Sequence, residues 1–285
     1  MKLGLCLAGG GVKGAAHIGA IKALEENNIK FDYISGTSSG SIVATLYALG
    51  YTTDEIYLIF KKYCKKIKYI DFKNILKIIF GVIFRGKLII DGLNSGDTIE
   101  KLINKIALEK NIKNINQIKM PLIIPAVDLN NGTLYCFTSK EIRKTFSDEI
   151  KFINDINIGK GVRASCSYPG VFSPCEYKNI KLIDGGVREN VPWKETKILG
   201  ADKVLSIVFE NDINEKCCKN IIEIADRSIQ LISRELSNYE LDGVDYLLKI
   251  RSKGISLLDT SKIDELYELG YKETLRRIKE VKELF

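Results

Sequence analysis

The chain is short of several things that usually announce a function. Its 285 residues hold one histidine, His17, one tryptophan and five prolines. Seven cysteines are present (Cys6, Cys64, Cys136, Cys166, Cys175, Cys217 and Cys218), odd in number, scattered and without a C-x-x-C pair. A zinc site or a disulfide framework is therefore not expected, and a reducing cytoplasm is the expected setting. No apolar run reaches the roughly 18 residues of a spanning helix, which argues against an integral membrane protein. The first residues, MKLGLCLAGGG, lose their apolar character at three glycines, too early for a signal-peptide core. Prolines are too few for a proline-rich linker, and no repeat or low-complexity tract interrupts the chain.

What is present is a globular composition, 45% hydrophobic and 28% charged. The net charge of +7 is concentrated. From Lys61 to Lys87 nine Lys and Arg (Lys61, Lys62, Lys65, Lys66, Lys68, Lys73, Lys77, Arg85 and Lys87) face one acid, Asp71, so that segment carries +8 and the rest −1. An electrostatic partner is to be sought there. Within it Ile75–Phe84 reads either as a lid or core helix or as an interfacial helix drawn to anionic lipid. The lysines at 61–68 also fit a solvated helix face. Aromatic interleaving of the kind that binds single-stranded nucleic acid is missing, so no nucleic-acid partner is expected.

Strand-length apolar runs alternate with amphipathic helical ones. Strands are expected at 2–8, 31–35, 121–129, 133–138, 179–184, 202–209 and 245–250, and helices at 13–27, 40–49, 219–238 and 262–284. Asn131-Gly132 between two strands signals a hairpin. Such alternation predicts an α/β protein: a single domain with a mostly parallel central sheet and helices on both faces.

Two glycine-rich turns follow the first two strands. Gly9-Gly10-Gly11-Val12-Lys13-Gly14 opens a helix and leaves main-chain N–H groups uncovered, an arrangement that attracts anions. It matches G-x-G-x-x-G, yet strand two ends in Ser35-Gly36, without the acid that would hold a ribose. Gly14 is followed by Ala15-Ala16, not by the Lys-Ser/Thr of a P-loop. An oxyanion hole and a plain tight turn remain. Gly36-Thr37-Ser38-Ser39-Gly40 is G-x-S-x-G between a strand and a helix, the setting in which a turn exposes a nucleophilic hydroxyl. The amide of Ser39 can join the oxyanion site, and a bland Gly/Ser turn is the alternative.

A nucleophilic serine needs a base. His17 lies one turn into the first helix on the side of Ile21 and Leu24, and reads as a packed side chain under the glycine loop. An acid must then serve directly. Asp184 ends a short apolar strand before Gly185-Gly186; Asp128, before Asn131-Gly132, reads as a hairpin cap. In a water-poor turn an aspartate hydrogen-bonded to the serine can take its proton as the bond to carbon forms.

Together GGGVKG (9–14), GTSSG (36–40) and DGG (184–186) resemble the patatin-like phospholipase family, especially its compact bacterial members. Arg163-Ala164-Ser165, Tyr168–Phe172, Glu189-Asn190-Val191-Pro192 and Gly200-Ala201-Asp202 are similar as well, and the likeness spans about residues 2–209. The resemblance implies a three-layer α/β/α fold over 1–285, with the helices of about 210–285 packing on a motif-bearing core. It implies a cofactor-free and metal-free Ser–Asp dyad hydrolysing acyl esters of lipids. Ser38 would be the nucleophile, Asp184 the base, and the amides of Gly9, Gly10 and Gly11 the oxyanion hole. Lys13 stands where the family carries a basic residue. The expected partner is a lipid acyl ester, and a peripheral contact of residues 61–87 with anionic membrane is a further expectation. A nucleotide- or anion-binding regulatory module stands as the alternative, and a transacylase or thioesterase shares the dyad.

Overall fold

A computed structural model describes residues 1–66, 91–143, 146–210, 218, 221–252 and 254–284. The stretch Ile75–Phe84, with its choice between lid and interfacial helix, lies outside them, as do Cys217 and the basic side chains from Lys68 to Lys87.

The first strand, β1 (Leu3–Leu7), is buried from Gly4 onward and reads as a continuous apolar run, as a strand covered on both faces must. It leads through the glycine loop into α1 (Gly14–Glu26) and then β2 (Tyr33–Gly36), which pairs parallel with β1. There follow α2 (Ser39–Ala48), α3 (Thr53–Cys64), α4 (Asp97–Glu109), β3 (Leu122–Asp128), β4 (Leu134–Thr138) and β5 (Ile150–Ile153). After these come α5 (Ile158–Ser165), β6 (Cys175–Tyr177), β7 (Ile180–Asp184), α6 (Trp193–Ile198) and β8 (Lys203–Glu210). The chain ends with α7 (Ile221–Glu240), β9 (Tyr246–Arg251), α8 (Ile263–Arg276) and α9 (Ile278–Lys282). The expected strands are all present. The expected helix over 262–284 is divided, because the backbone leaves helical geometry at Arg277.

The sheet runs β5-β4-β3-β2-β1-β8-β9. Its β1–β2, β1–β8, β2–β3, β4–β5 and β8–β9 pairs are parallel. The hairpin signalled by Asn131-Gly132 joins β3 to β4 antiparallel, and β7 adds to β3 antiparallel. The two faces are covered unequally. Leu5, Leu7, Ile34 and Ile207 face a large core closed by α1, α2, α3, α5 and α8, whereas Cys6, Ala8, Tyr33 and Val208 face a smaller one built around Trp193 of α6. Helix α1 is buried on nearly every side because it lies between the sheet and α8. The two helices cross at Gly19 and Gly270. A Cβ on Gly19 would lie 2.0 Å from Tyr267 O, and one on Gly270 1.9 Å from Ala16 O. The basic Lys61 on α3 pairs with Asp264 of α8 at 2.7 Å, while Lys62, Lys65 and Lys66 face solvent. No helix among the described residues is long and apolar enough to cross a membrane.

Candidate active site

One edge of β3 brings two distant parts of the chain together. Its first residues pair with β2, Ile34 opposite Leu122 and Ser35 opposite Ile123. Its last residues, on the same edge, pair with β7, Leu182 opposite Asp128 and Asp184 opposite Ala126. Strands β2 and β7 therefore run toward each other along a common neighbour, and their C-terminal ends meet. Ser38 leaves the end of one, and Asp184 is the end of the other.

Ser38 sits in a sharp turn with φ 53° and ψ −124°, backbone that non-glycine residues rarely adopt. The turn is held from both sides. Ser38 N–H donates to Ser165 Oγ at 3.0 Å, and Ser38 O accepts the Ser41 hydroxyl at 2.6 Å. The flanking glycines are required by space. A Cβ on Gly36 would stand 2.4 Å from Gly40 O, and one on Gly40 would stand 2.4 Å from Leu7 O. The Ser39 amide, at the start of α2, has no hydrogen-bond partner among the described residues.

The Asp184 side chain is 3% exposed. Its Oδ1 accepts the Gly186 amide at 2.8 Å, and its own N–H donates to Ser167 O at 3.0 Å. Burial drives its pKa up to about 6, against the lesser opposing effects of the Ser38 hydroxyl and the Gly186 amide. The Ser38 hydroxyl is near enough to lower that pKa, while Oδ2 is buried with no hydrogen-bond partner among the described residues. Gly185 is required here because a Cβ would meet Pro125 O of β3 at 2.5 Å.

The glycine loop arrives beside this pair. Gly11 has φ +58°, and a Cβ there would lie 2.2 Å from Leu257 O, which also accepts the Val12 amide at 2.9 Å. Of the three expected donors, Gly9 N–H is engaged by Asn190 Oδ1 at 3.0 Å. The amides of Gly10 and Gly11 have no partner among the described residues. His17 lies beneath the loop, fully buried, its Nε2 at 2.8 Å from Ala8 O and its ring against Phe209 at 4.5 Å. Burial lowers its pKa to about 4, so it is neutral over the working range of most proteins. Lys13 is buried as well, which lowers it to about 8. Asp128 caps its hairpin, Oδ1 accepting the Asn130 amide at 2.9 Å. No group of three His, Cys, Asp or Glu side chains among the described residues is placed to hold a metal ion.

Three contributions escaped the motifs. Ser165 and Asn190 lie in stretches noted for resemblance without a role, and each accepts an amide of a motif residue. Arg163, 3% exposed, donates to Ser167 Oγ, Ser95 O and Ser173 O, tying the loop before α4 to the loop between α5 and β6, whose Ser167 O accepts the Asp184 amide. The burial that lets one guanidinium serve several acceptors is a tertiary fact, and no sequence signal marks it.

A family model described as patatin-like phospholipase matches residues 5–197. The uncharacterized protein YqhO of Bacillus subtilis is 34% identical over 67% of this chain and 65% of its own length. The uncharacterized protein R571 of Acanthamoeba polyphaga mimivirus is 30% identical over 92% of this chain and 83% of its own. Lysophospholipase NTE1 of Meyerozyma guilliermondii is 28% identical over 72% of this chain, which spans only 12% of that protein. Among solved structures, VipD from Legionella pneumophila superposes with a TM-score of 0.54 at 15% identity, over 98% of this chain and 67% of that one. The match over 5–197 takes in the glycine loop, the serine elbow and the Asp-Gly-Gly turn on the fold just described, and the chain belongs to the patatin-like phospholipase family.

Proposed function

We propose that this chain is a serine acyl hydrolase that cleaves fatty-acyl esters of lipids through an acyl-enzyme. Ser38 acts as nucleophile and Asp184 as its base. What carries the reading is the head-on approach of β2 and β7 along β3, which sets a strained serine turn against a buried carboxyl. The carboxyl, with a pKa of about 6, is ionised at neutral pH yet basic enough to share a proton.

Ser38 Oγ attacks the ester carbonyl, and its proton passes to Asp184 Oδ2, the oxygen left without a partner. Charge that develops on the carbonyl oxygen is met by the Gly10 and Gly11 amides, with the Ser39 amide at the start of α2 as a third donor. In other serine hydrolases one such donor contributes about 3–4 kcal/mol to the transition state. The alkoxide leaves with the proton held by Asp184. Water then attacks the acyl-enzyme with Asp184 again as base, releasing the fatty acid and restoring Ser38. His17 takes no part, since its ring is neutral and committed to the glycine loop.

The yeast relatives are named lysophospholipases, which makes a phospholipid with one acyl chain the first substrate to try. The direct experiment is labelling with a fluorophosphonate, beside hydrolysis of lysophospholipids of graded chain length. Stoichiometric labelling of wild type that vanishes in Ser38→Ala, together with release of fatty acid, is the expected result. Hydrolysis that persists in Ser38→Ala would overturn it.

A further inference from the structure

We propose that Asn190 is a positioning residue of this site, clamping the peptide that leads into the glycine loop. The proposal rests on the acyl-hydrolase reading above.

The peptide unit between Ala8 and Gly9 is gripped at both poles. Its oxygen, Ala8 O, takes the hydrogen bond of His17 Nε2 at 2.8 Å, and its N–H, that of Gly9, donates to Asn190 Oδ1 at 3.0 Å. A peptide held at both ends cannot rotate about its flanking bonds, so the amides that follow, at Gly10 and Gly11, are fixed before substrate arrives. Preorganised donors are what a developing oxyanion needs.

Asn190 stands at the centre of the site. A Cβ on Gly9 would lie 2.7 Å from Asn190 Oδ1 and 3.2 Å from Ser38 Cβ. A Cβ on Gly186 would lie 3.1 Å from the same Oδ1 and 3.2 Å from Asp184 Oδ1. One amide oxygen thus fits between the nucleophile's loop and the base's turn.

The surroundings select an amide there. Asn190 Nδ2 donates to Ser237 Oγ of α7 at 3.3 Å, and the Ser237 hydroxyl itself donates to Ser233 O at 2.8 Å. With its proton committed, Ser237 presents only a lone pair, so position 190 needs an acceptor and a donor on one short side chain. A carboxylate would turn an oxygen against that lone pair. The backbone of Asn190 is tied down too, its N–H reaching both Glu240 oxygens at 3.1 and 3.3 Å. Charged groups around it are Asp184 beyond Gly186, Glu240 under its amide, Glu189, Glu195 and Lys194 around Glu240, and Arg188 near Glu189. Glu240 and Ser237 belong to α7, beyond the residues 5–197 that match the family model.

The test compares full-length wild type, Ser38→Ala, Asn190→Ala and Asn190→Asp on one lysophospholipid. A misplacement of donors by a fraction of an ångström predicts that Asn190→Ala lowers kcat about 10- to 100-fold while KM stays within about threefold. In Asn190→Asp the protonated acid again offers a carbonyl to Gly9 and a hydroxyl to Ser237. Partial burial beside the Asp184 and Glu240 carboxyls raises such an acid above the ordinary value of about 3.9, so its activity relative to wild type should rise as pH falls from about 8 to about 6. Asn190→Asp is isosteric, so it carries the test if Asn190→Ala does not fold. Wild-type kcat in Asn190→Ala, an effect on KM alone, or an Asn190→Asp ratio flat with pH would each overturn the clamp. Wild-type turnover that does not depend on Ser38 would instead remove the acyl-hydrolase reading beneath it.

Discussion

Burial holds the Asp184 carboxyl at a pKa of about 6, so the side chain passes from acid to base just below neutrality. Catalysis by this base predicts that kcat/KM rises with pH through about 6 and then levels, as a pH–rate profile would record. The same shift bears on stability with a definite sign. The folded pKa lies above the ordinary 3.8, so the folded state binds this proton more tightly than the unfolded one. The stabilising contribution is complete below the unfolded pKa and is lost as pH rises through the folded value. At pH 8 the ionised carboxyl costs the fold up to about 3 kcal/mol. Asp184→Asn should accordingly lose turnover by about 10²- to 10⁴-fold yet melt at a higher temperature than wild type at pH 8. A gain that is equal at pH 4.5 and pH 8 would contradict the linkage. His17 has the opposite character. Its ring nitrogen serves the loop, and Gln can offer a donor to Ala8 O in its place. His17→Gln should keep kcat within about tenfold, well short of the loss expected where a general base is removed. Complete loss in a folded His17→Gln protein would restore a histidine mechanism.

Strand β3 is the element on which the site depends, because it alone borders both β2 and β7. A second dependence runs through α1, whose start carries the glycine loop and whose middle is pressed against α8. At the Gly19–Gly270 crossing the backbones are in contact, and a methyl group on Gly270 has no space 1.9 Å from Ala16 O. Gly270→Ala must push the helices apart, at a cost of about 3 kcal/mol or more for overpacking. Denaturant titration should show the lower midpoint. Activity should fall with it, since Leu257, just before α8, holds the Val12 amide at the end of the loop. Normal stability in Gly270→Ala would show that the crossing relaxes freely.

At the scale of the whole molecule the charge is the feature left to use. The segment 61–87 carries +8 and the rest of the chain −1. At the end of α3 and just past it this charge meets solvent at Lys62, Lys65 and Lys66. A lipid hydrolase gains from residence at its substrate's surface, and a concentrated positive segment favours anionic headgroups. Co-sedimentation with anionic vesicles should be strong at about 50 mM salt and weak at about 500 mM, where the Debye length falls to a few ångströms. Binding that ignores salt would dismiss the electrostatic part and leave the hydrolase reading untouched.

Much of this was legible before the structure because it is local. The alternation of strand and helix follows from periodicity, the hairpin from Asn131-Gly132, and both glycine turns from the backbone room that only glycine gives. The Ser38 turn, the burial of His17 and the capping role of Asp128 follow from a few neighbouring residues each. Asp184 stood out as the base from its place at the end of an apolar strand before two glycines, and the resemblance pointed the same way, but no local rule says that β2 and β7 share an edge of β3. The parts played by Ser165, Arg163 and Asn190 were not legible at all, because a hydrogen-bond partner up to 181 positions away leaves no local pattern. Sequence by itself determined the main strands and helices, since apolar periodicity and turn residues are local signals even where, as between β1 and β8, the hydrogen-bonded partner lies 200 positions away. Tertiary structure alone decided which N–H of the glycine loop is already bound, how far burial raises the carboxyl, and which amide fills the gap between them. Each of those depends on groups that become neighbours only when the sheet has closed.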